Sequence, residues 1–257
     1  MDRPVPPVNA AASLRAVARA PALLVLGLLG WLGMAWLVLD MGHPLAQLTM
    51  PASSRWSAAN LLAVWAMWAV MMAAMMLPSA WPMVSTFIRL GGDAASRSRG
   101  RAFVAAYLGV WCAFSAAATA AQWLLQALGW ISPMILSTSA ALTGALLLIA
   151  GIYQFSPLKQ VCLSRCRTPV GFLMGEWRPG SRGAFVMGLR HGLFCLGCCW
   201  ALMALLFVGG VMNLAWIAAL SIVVAIKKLA PRGERIALAL GLALMAAGAF
   251  KLLGLVA

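Results

Sequence analysis

Residues 23–39 read Leu23-Leu-Val-Leu-Gly-Leu-Leu-Gly-Trp-Leu-Gly-Met-Ala-Trp-Leu-Val-Leu39, a run without a single charged side chain. A helix of about 20 such residues is long enough to cross the hydrocarbon core of a bilayer. The whole chain has the same character, because 64% of its 257 residues are hydrophobic, 9% are charged and the mean hydropathy is +0.94. This composition cannot solvate an ordinary globular surface. We therefore expect the lipid bilayer to be the main solvent of the chain.

Six further stretches are apolar all round rather than on one face, which is typical of membrane spans. We predict an all-α fold: a polytopic transmembrane helical bundle of about seven spans. The bundle would form a single integral membrane domain over residues 1–257. The predicted spans lie near residues 22–41, 61–80, 102–128, 135–155, 184–207, 211–227 and 236–256.

Basic residues determine the predicted orientation. The formal net charge is +14, and positive connections stay on the cytoplasmic side. We predict a multi-pass protein of the bacterial inner membrane with a cytoplasmic N-terminus and a periplasmic C-terminus. No basic run is interleaved with exposed aromatic residues, so nucleic acid is not expected as a partner. The orientation rests on Arg3, Arg15, Arg19, Arg89, Arg97, Arg99, Arg101, Lys159, Arg165, Arg167, Arg178, Arg182, Lys227, Lys228, Arg232 and Arg235.

The fifth predicted span carries most of the candidate metal ligands. Sulfur and imidazole donors recur there at every fourth residue, which places them on one helix face. Donors of this kind select Cu(I) or Zn(II) over hard cations. One such residue alone would more often be packing, but three cysteines within five residues and a His one turn away favour a metal site. The stripe consists of Met187, His191, Cys195, Cys199 and Met203, with Cys198 beside it.

A second candidate is the pair of cysteines in Cys162-Leu-Ser-Arg-Cys166, which we place in the loop before the fifth span. The predicted orientation puts this loop in the reducing cytosol, so a structural disulfide is not expected. The spacing alone is a weak signal. Its weight comes from the position of the loop, which leads directly into the cysteine-rich span.

The second predicted span contributes methionines. Met67, Met71 and Met75 form one helical row, and Met72 and Met76 form a neighbouring one. Thioethers bind Cu(I) well and Zn(II) poorly, so the row favours copper(I) over zinc, which remains the alternative metal. The competing explanation is that flexible methionines fill an irregular core.

Several functional classes lose support from what the sequence lacks. Its five acidic residues fall at span ends or in loops, so no buried carboxylate is expected for proton-coupled transport. Neither His43 nor His191 has an obvious Ser or Asp partner for hydrolysis. A nucleotide-binding loop is also missing. We therefore do not expect an enzyme.

At these motifs the chain resembles a bacterial family described as predicted metal-binding integral membrane proteins, some of whose members are labelled copper chaperones. The resemblance rests on Pro-Leu-Lys…Cys-x3-Cys-Arg and His-Gly…Cys-x-Gly-Cys-Cys-Trp. It covers Met67–Ser79, Gly151–Pro169 and Met187–Ala218. The family pattern often has an acidic residue before the Lys near the end of the sixth span, where this chain has Lys227-Lys228.

The leading hypothesis is a membrane protein that captures Cu(I) at Cys162 and Cys166 and relays it to the fifth span. A protein partner for metal transfer or complex assembly would fit this role. One alternative is a thiol–disulfide oxidoreductase that uses Cys195-x-x-Cys198, although the predicted outer loops contain no second thiol pair. Another is a non-catalytic subunit of a larger membrane complex, in which the cysteines only pack.

Overall fold

The computed structural model describes residues 21–53, 55–91, 95–132, 136–231 and 233–254. Arg3, Arg15, Arg19, Arg232 and both chain termini lie outside these ranges, as do the first residue of the fourth predicted span and the last two of the seventh. Within the ranges the chain is helical, apart from turns, loops and one isolated bridge between Ile131 and Ser137. The all-α prediction is confirmed. The helices are α1 (Pro21–Leu39), α2 (Pro44–Thr49), α3 (Ala58–Gly91), α4 (Ser96–Ala127), α5 (Ala140–Tyr153), α6 (Pro157–Arg167), α7 (Pro169–Glu176), α8 (Gly180–Ala204), α9 (Leu206–Gly209), α10 (Leu214–Leu229) and α11 (Gly233–Leu252).

Five helical segments of the described chain are long and apolar enough to cross a membrane: α1, α3, α4, α8 continued through α9, and α11. Helices α5 and α6 meet this condition only as a pair, with a bend of 66° between them. Length and composition therefore support five spans, or six with the bent pair, rather than the seven predicted. The predicted span at 211–227 corresponds to α10, whose 16 residues extend about 24 Å and fall short of a core of about 30 Å.

The fourth predicted span is interrupted by a proline. Helix α5 has 14 residues and ends at Tyr153, and α6 begins at Pro157. A residue that precedes proline is driven out of the helical region, and Ser156 accordingly has an extended backbone, with φ −63° and ψ 133°. The segment with Cys162 and Cys166 is therefore a helix after a sharp bend, and the expectation of a loop was wrong.

Helix α3 extends well beyond the predicted 61–80 segment. Its 34 residues correspond to about 51 Å, so its ends project past any hydrocarbon core. It runs antiparallel to α4, because Trp65 Nε1 donates to the Cys112 carbonyl oxygen at 3.1 Å and the Tyr107 hydroxyl donates to the Met76 carbonyl oxygen at 3.4 Å. These two helices form one wall of the bundle interior.

Glycines allow α4 and α8 to approach closely. A Cβ on Gly188 would clash with the Phe103 carbonyl oxygen, and one on Gly192 would lie 2.8 Å from Val110 Cγ2. Small residues at a helix interface permit this backbone contact. The later glycine of α8 contacts the later residue of α4, so the two helices run parallel. The fifth predicted span therefore packs against α4.

Helices α5 and α10 run in the same direction. The Ser137 backbone N–H, just before α5, donates to the Phe207 carbonyl oxygen of α9 at 3.0 Å, so α5 starts near the segment that leads into α10. At the other end, Lys227 Nζ on α10 donates to Gln154 Oε1, at the end of α5, at 2.9 Å. The last turn of α10 is therefore packed inside the bundle.

Candidate metal centre

Three cysteine side chains meet in the second half of α8. Cys195, Cys198 and Cys199 are each at most 2% exposed. The Cys198 sulfur lies 3.2 Å from the Cys199 sulfur, and its thiol donates to the Cys195 carbonyl oxygen at 3.2 Å. Residues three and four apart on a helix are surface neighbours, so the spacing read from the sequence brings these thiols together.

Helix α6 adds a fourth thiol to this group. Cys166 is partly exposed, and its thiol interacts with those of Cys195 and Cys198. Cys162, one turn earlier, lies against α8 at Gly197, where an added Cβ would be 2.6 Å from the Cys162 sulfur. The bend before α6 thus folds both of its cysteines onto α8. The name thiol cluster is used below for Cys166, Cys195, Cys198 and Cys199.

The thiols of the cluster are not linked by a disulfide and are not arranged around a single point. All six cysteines are free, so no disulfide joins α6 to α8. Among the described residues, no group of three or more His, Cys, Asp or Glu side chains has the arrangement of a preformed metal site. The thiols are neighbours without forming a closed cage. To direct several sulfurs at one ion, their side chains would have to rotate.

A buried lysine from α10 reaches the thiol cluster. Lys228 is 6% exposed, and its ammonium lies 3.0 Å from the Cys195 sulfur and 3.0 Å from Ser79 Oγ. The Met76 sulfur is 3.9 Å from the same nitrogen. A single ammonium therefore connects α10, α8 and α3 at the level of Cys195.

The two lysines of α10 were expected in a cytoplasmic loop, and this expectation was wrong. Lys227 and Lys228 occupy the last turn of α10, and Lys227 is 1% exposed. The helix continues to Leu229 and its end is packed, so these charges lie inside the protein. Lys159, at the start of α6, is also 1% exposed. Three buried lysines thus surround a region that the sequence suggested was rich in sulfur.

Carboxylates do not balance these buried charges in the described part of the chain. Glu176 pairs with Arg190, and Glu234 lies 3.8 Å from Arg167. None of the ion pairs in that part involves a buried lysine. A buried charge that lacks a partner is strongly destabilising. The nearest group to Lys228 that can become anionic is the Cys195 thiol, whose sulfur lies 3.0 Å from the lysine nitrogen.

The family comparison agrees with these motifs. The model of the family PpoB2, described as copper chaperone, matches residues 65–251. The chain belongs to this family. The match begins in α3 and ends in α11, so it includes the thiol cluster and Lys228. No curated protein and no solved structure matches the chain significantly.

The resemblance stated from the sequence motifs is confirmed by this match, because all three motif stretches fall inside it. Helices α1 and α2 lie outside the matched range. The family's description concerns copper, and the two elements that supply the thiol cluster, α6 and α8, both belong to the matched part. The candidate metal centre of this copper chaperone family member is therefore built entirely from the family region.

His191 lies one turn before Cys195 in an aromatic enclosure. It is 3% exposed, and the ring centroids of Phe103, Tyr107 and Phe172 lie 5.6 to 5.9 Å from its own. Its Nδ1 is buried without a hydrogen-bond partner in the described structure. A buried polar atom in this state is costly. A ligand that accepts the nitrogen lone pair, such as a metal ion, would remove the cost.

The structure distinguishes the two methionine rows of α3. Met76 of the Met72–Met76 row contacts Lys228 beside Cys195. Met67 and Met71 lie nine and five residues before Met76, which puts them on the other side of α3 at 100° per residue. These two, with Met75, are buried in the core. Their role as ligands remains a prediction, as does that of Met187 and Met203, which are fully buried on α8.

Sequence analysis missed three residues that contact the site. The Tyr107 hydroxyl is 3.1 Å from the Cys195 sulfur, and Ser79 and Lys228 contact each other beside the same sulfur. All three come from helices distant in sequence from the cysteines. No spacing rule relates them to Cys195. The one available signal was the pair of lysines that directly follows an apolar run.

Proposed function

We propose that this protein is a Cu(I)-binding protein embedded in the bacterial inner membrane, and that the thiol cluster holds the ion. The observation that supports this most strongly is the convergence of free thiols from α6 and α8 beside Lys228. Soft thiolate ligands select Cu(I), Zn(II) or iron–sulfur clusters over hard cations, and thioethers such as that of Met76 favour Cu(I) over Zn(II). Membership in a copper chaperone family supports copper as the cargo.

The charge of Lys228 suits a monovalent ion held by two thiolates. Cu(I) with two thiolate ligands carries one net negative charge, and the ammonium 3.0 Å from Cys195 would neutralise it. In a low-dielectric interior a neutral assembly avoids most of the desolvation penalty. Methionine thioethers at the same level, beginning with Met76, add soft donors without adding charge.

The site proposed here differs from a relay between two separate sites. Cys166 lies with the α8 thiols rather than in a distant loop, so capture and storage would occur at one composite centre. His191, with its unpartnered nitrogen one turn from Cys195, is placed to complete the set of ligands. Cys162 packs against α8 beside this centre, at Gly197.

The orientation proposed for the bundle keeps the N-terminus in the cytoplasm. Arg89 near the end of α3, Arg97 near the start of α4 and Arg182 near the start of α8 share one end of the bundle. Positive ends face the cytoplasm. Helices α5 and α10 are short, but both run toward that end, which supports an odd number of crossings and a periplasmic C-terminus.

The oxidoreductase alternative receives less support. Redox-active cysteine pairs owe their reactivity largely to a helix N-terminus or adjacent cations. Cys195 lies fifteen residues after Gly180, where α8 begins, so the N-terminal dipole does not reach it. Only the cation is present, as Lys228.

Anaerobic metal titration tests the proposal. The purified protein should bind Cu(I) in preference to Zn(II), and Cys195→Ser, Cys198→Ser and Cys199→Ser combined should abolish the tightest site. Cys112→Ser is the matched control, because Cys112 lies on α4 outside the cluster. Equal copper stoichiometry and affinity in the triple variant and the control would refute the proposed site.

A further inference from the structure

Soft donors continue from the thiol cluster into the interior, and two of them, Met72 and Met203, lie outside the proposed site. Moving from Cys195 along α8 toward α9, the next turns of the same stripe carry Cys199 and Met203. Moving from Met76 along α3 in the same spatial direction, the next turn carries Met72. Met72, Met76, Met203 and Cys199 are at most 2% exposed. The name soft-donor column is used below for Met72, Met76, Cys199 and Met203.

The directions of the helices place the two halves of the column opposite each other. Helix α3 is antiparallel to α4 and α4 is parallel to α8, so α3 and α8 run in opposite directions. Met76 and Cys195 are at one level, because both sulfurs lie within 3.9 Å of Lys228 Nζ. One turn further, Met72 on α3 therefore corresponds to Cys199 on α8.

The column ends at a polar contact near α9. The rings of Trp68 and Phe207 lie 5.3 Å apart, which keeps α3 and the end of the α8–α9 segment together. Trp68 Nε1 donates to Gln122 Oε1 at 2.8 Å. Gln122 is fully buried, and its Nε2 has no hydrogen-bond partner in the described structure. The far end of the column therefore contains an unsatisfied polar group and is not purely apolar.

We propose that Cu(I) moves from the thiol cluster along the soft-donor column toward α9, so that the protein translocates the ion and does not only hold it. This inference rests on the proposed function, because the ion must first bind at the cluster. From Cys195 to Met203 the path covers eight residues of α8, about 12 Å. Copper remains Cu(I) throughout, and each step exchanges one sulfur ligand for the next.

The chemistry of the column suits transit rather than storage. Conduction requires sites that bind well enough for the ion to enter and weakly enough for it to leave. Thiolates beside Lys228 give a neutral, stable complex. A Cu(I) ion at the thioethers of Met72 and Met203 keeps its positive charge, which is costly in a membrane interior. The methionines would therefore be brief stops between more stable sites.

Transport into sealed vesicles tests the inference. Purified protein is reconstituted, Cu(I) is supplied outside under anaerobic conditions, and an entrapped Cu(I)-specific chromogenic chelator reports entry. Combining Met72→Leu with Met203→Leu should lower the initial rate about 10-fold or more, the effect of one lost ligand interaction. The Cu(I) affinity of the thiol cluster in detergent should stay unchanged. Leucine preserves the apolar volume, so the fold should be retained.

The matched control combines Met34→Leu on α1, where Met34 is 1% exposed, with Met245→Leu on α11, where Met245 packs against Gly151 of α5; neither methionine is a candidate ligand. This pair should leave the rate unchanged, which would separate ligand loss from altered packing. An equal loss of rate in both pairs would overturn the column. Entry no faster than in protein-free vesicles, with Cu(I) binding in detergent intact, would refute translocation and leave the proposed function standing. Absence of Cu(I) binding by the wild-type protein would refute both.

Discussion

Lys228 is the residue on which the chemistry of the site depends most. Its ammonium is buried, and its contacts are a hydroxyl and two sulfurs, those of Cys195 and Met76. A charged lysine in such a position is stabilised by an anion, and the Cys195 thiol is the group within reach that can become one. In the proposed site the same charge would stabilise a thiolate and would neutralise a Cu(I) dithiolate. Lys228 would therefore affect both the stability of the fold and the affinity for the metal ion.

Replacement of Lys228 should weaken copper binding through the loss of charge. Lys228→Met should lower Cu(I) affinity about 10-fold or more, which corresponds to about 1.4 kcal/mol, whereas Lys228→Arg should retain most of the affinity. Competitive Cu(I) titration is the measurement. Lys227→Met is the control, since Lys227 donates to Gln154 instead. The same loss in Lys227→Met, or no loss in Lys228→Met, would contradict this role.

His191 separates the copper hypothesis from its rivals. His191→Ala removes the unpartnered Nδ1 and should weaken Cu(I) binding about 10-fold with the redox midpoint of the Cys195–Cys198 thiols unchanged. Cu(I) titration and thiol redox titration on the same preparations provide the measurement. A shifted midpoint with unchanged copper affinity would favour the oxidoreductase, and no change in either would favour packing.

The candidate site could be predicted from sequence only in part. The cysteines of α8 are neighbours because they are three and four residues apart, a local relation that spacing reveals. Lys228, Ser79 and Tyr107 reach Cys195 from three other helices. Such long-range contacts depend on tertiary packing. A pair of lysines after an apolar run looks the same in sequence whether it marks a loop or a packed helix end.

At the level of elements, α6 decides how the centre is assembled. Pro157 ends the fourth predicted span early and starts a new helix after a bend of 66°. The bend turns Cys162 and Cys166 back onto α8. The sequence contained Pro157, but a proline predicts only that a helix ends or bends and not where the next helix packs. For this reason the segment after Pro157 was predicted to be a loop.

Arg167 fastens the end of α6 to the end of α10. Its Nη2 donates to the Ala230 carbonyl oxygen at 2.6 Å and to that of Pro231 at 2.9 Å. These bonds hold the helix with Cys166 against the helix with Lys228. Charge-assisted bonds to carbonyl oxygens at a helix end are strong contributors to local order.

Arg167→Ala should therefore release α6 and expose Cys166. We expect maleimide labelling of Cys166 to become several times faster, because a local opening costs less once these two bonds are gone. Labelling rates followed by mass spectrometry provide the measurement. Arg165→Ala, an exposed change on the same helix, should leave the rate unaltered. Equal rates in the wild type and Arg167→Ala would show that α6 is held by other contacts.

At the scale of the whole molecule, composition alone was enough to predict an all-helical chain with several helices long and apolar enough to cross a membrane. The number of spans was harder to predict, because hydropathy measures apolar length and not where a helix begins. Helices α5 and α10, with 14 and 16 residues, are shorter than their apolar stretches suggested. A proline and an Asn cap set their limits: Asn213 Oδ1 accepts from the Trp216 backbone N–H at 3.1 Å.

The proposed orientation can be tested with two introduced cysteines. Gly42 and Gly175 have room for a side chain, with nothing nearer than 3.8 Å. A membrane-impermeant maleimide should label Gly42→Cys in intact spheroplasts, and Gly175→Cys only after the cytoplasmic face is opened. The unaltered protein gives the background. The reverse pattern would show that the topology is the opposite of the one proposed, so that the thiol cluster would open toward an oxidising compartment.

The central claim is that thiols of α6 and α8 hold one Cu(I) together. A double-mutant cycle of Cu(I) affinity over wild type, Cys166→Ser, Cys195→Ser and the double variant tests it most directly. If both sulfurs belong to one centre, each single change should cost about 10-fold or more, and the double change should cost clearly less than the product of the two. Losses that multiply independently would mean two separate sites and would contradict the composite centre.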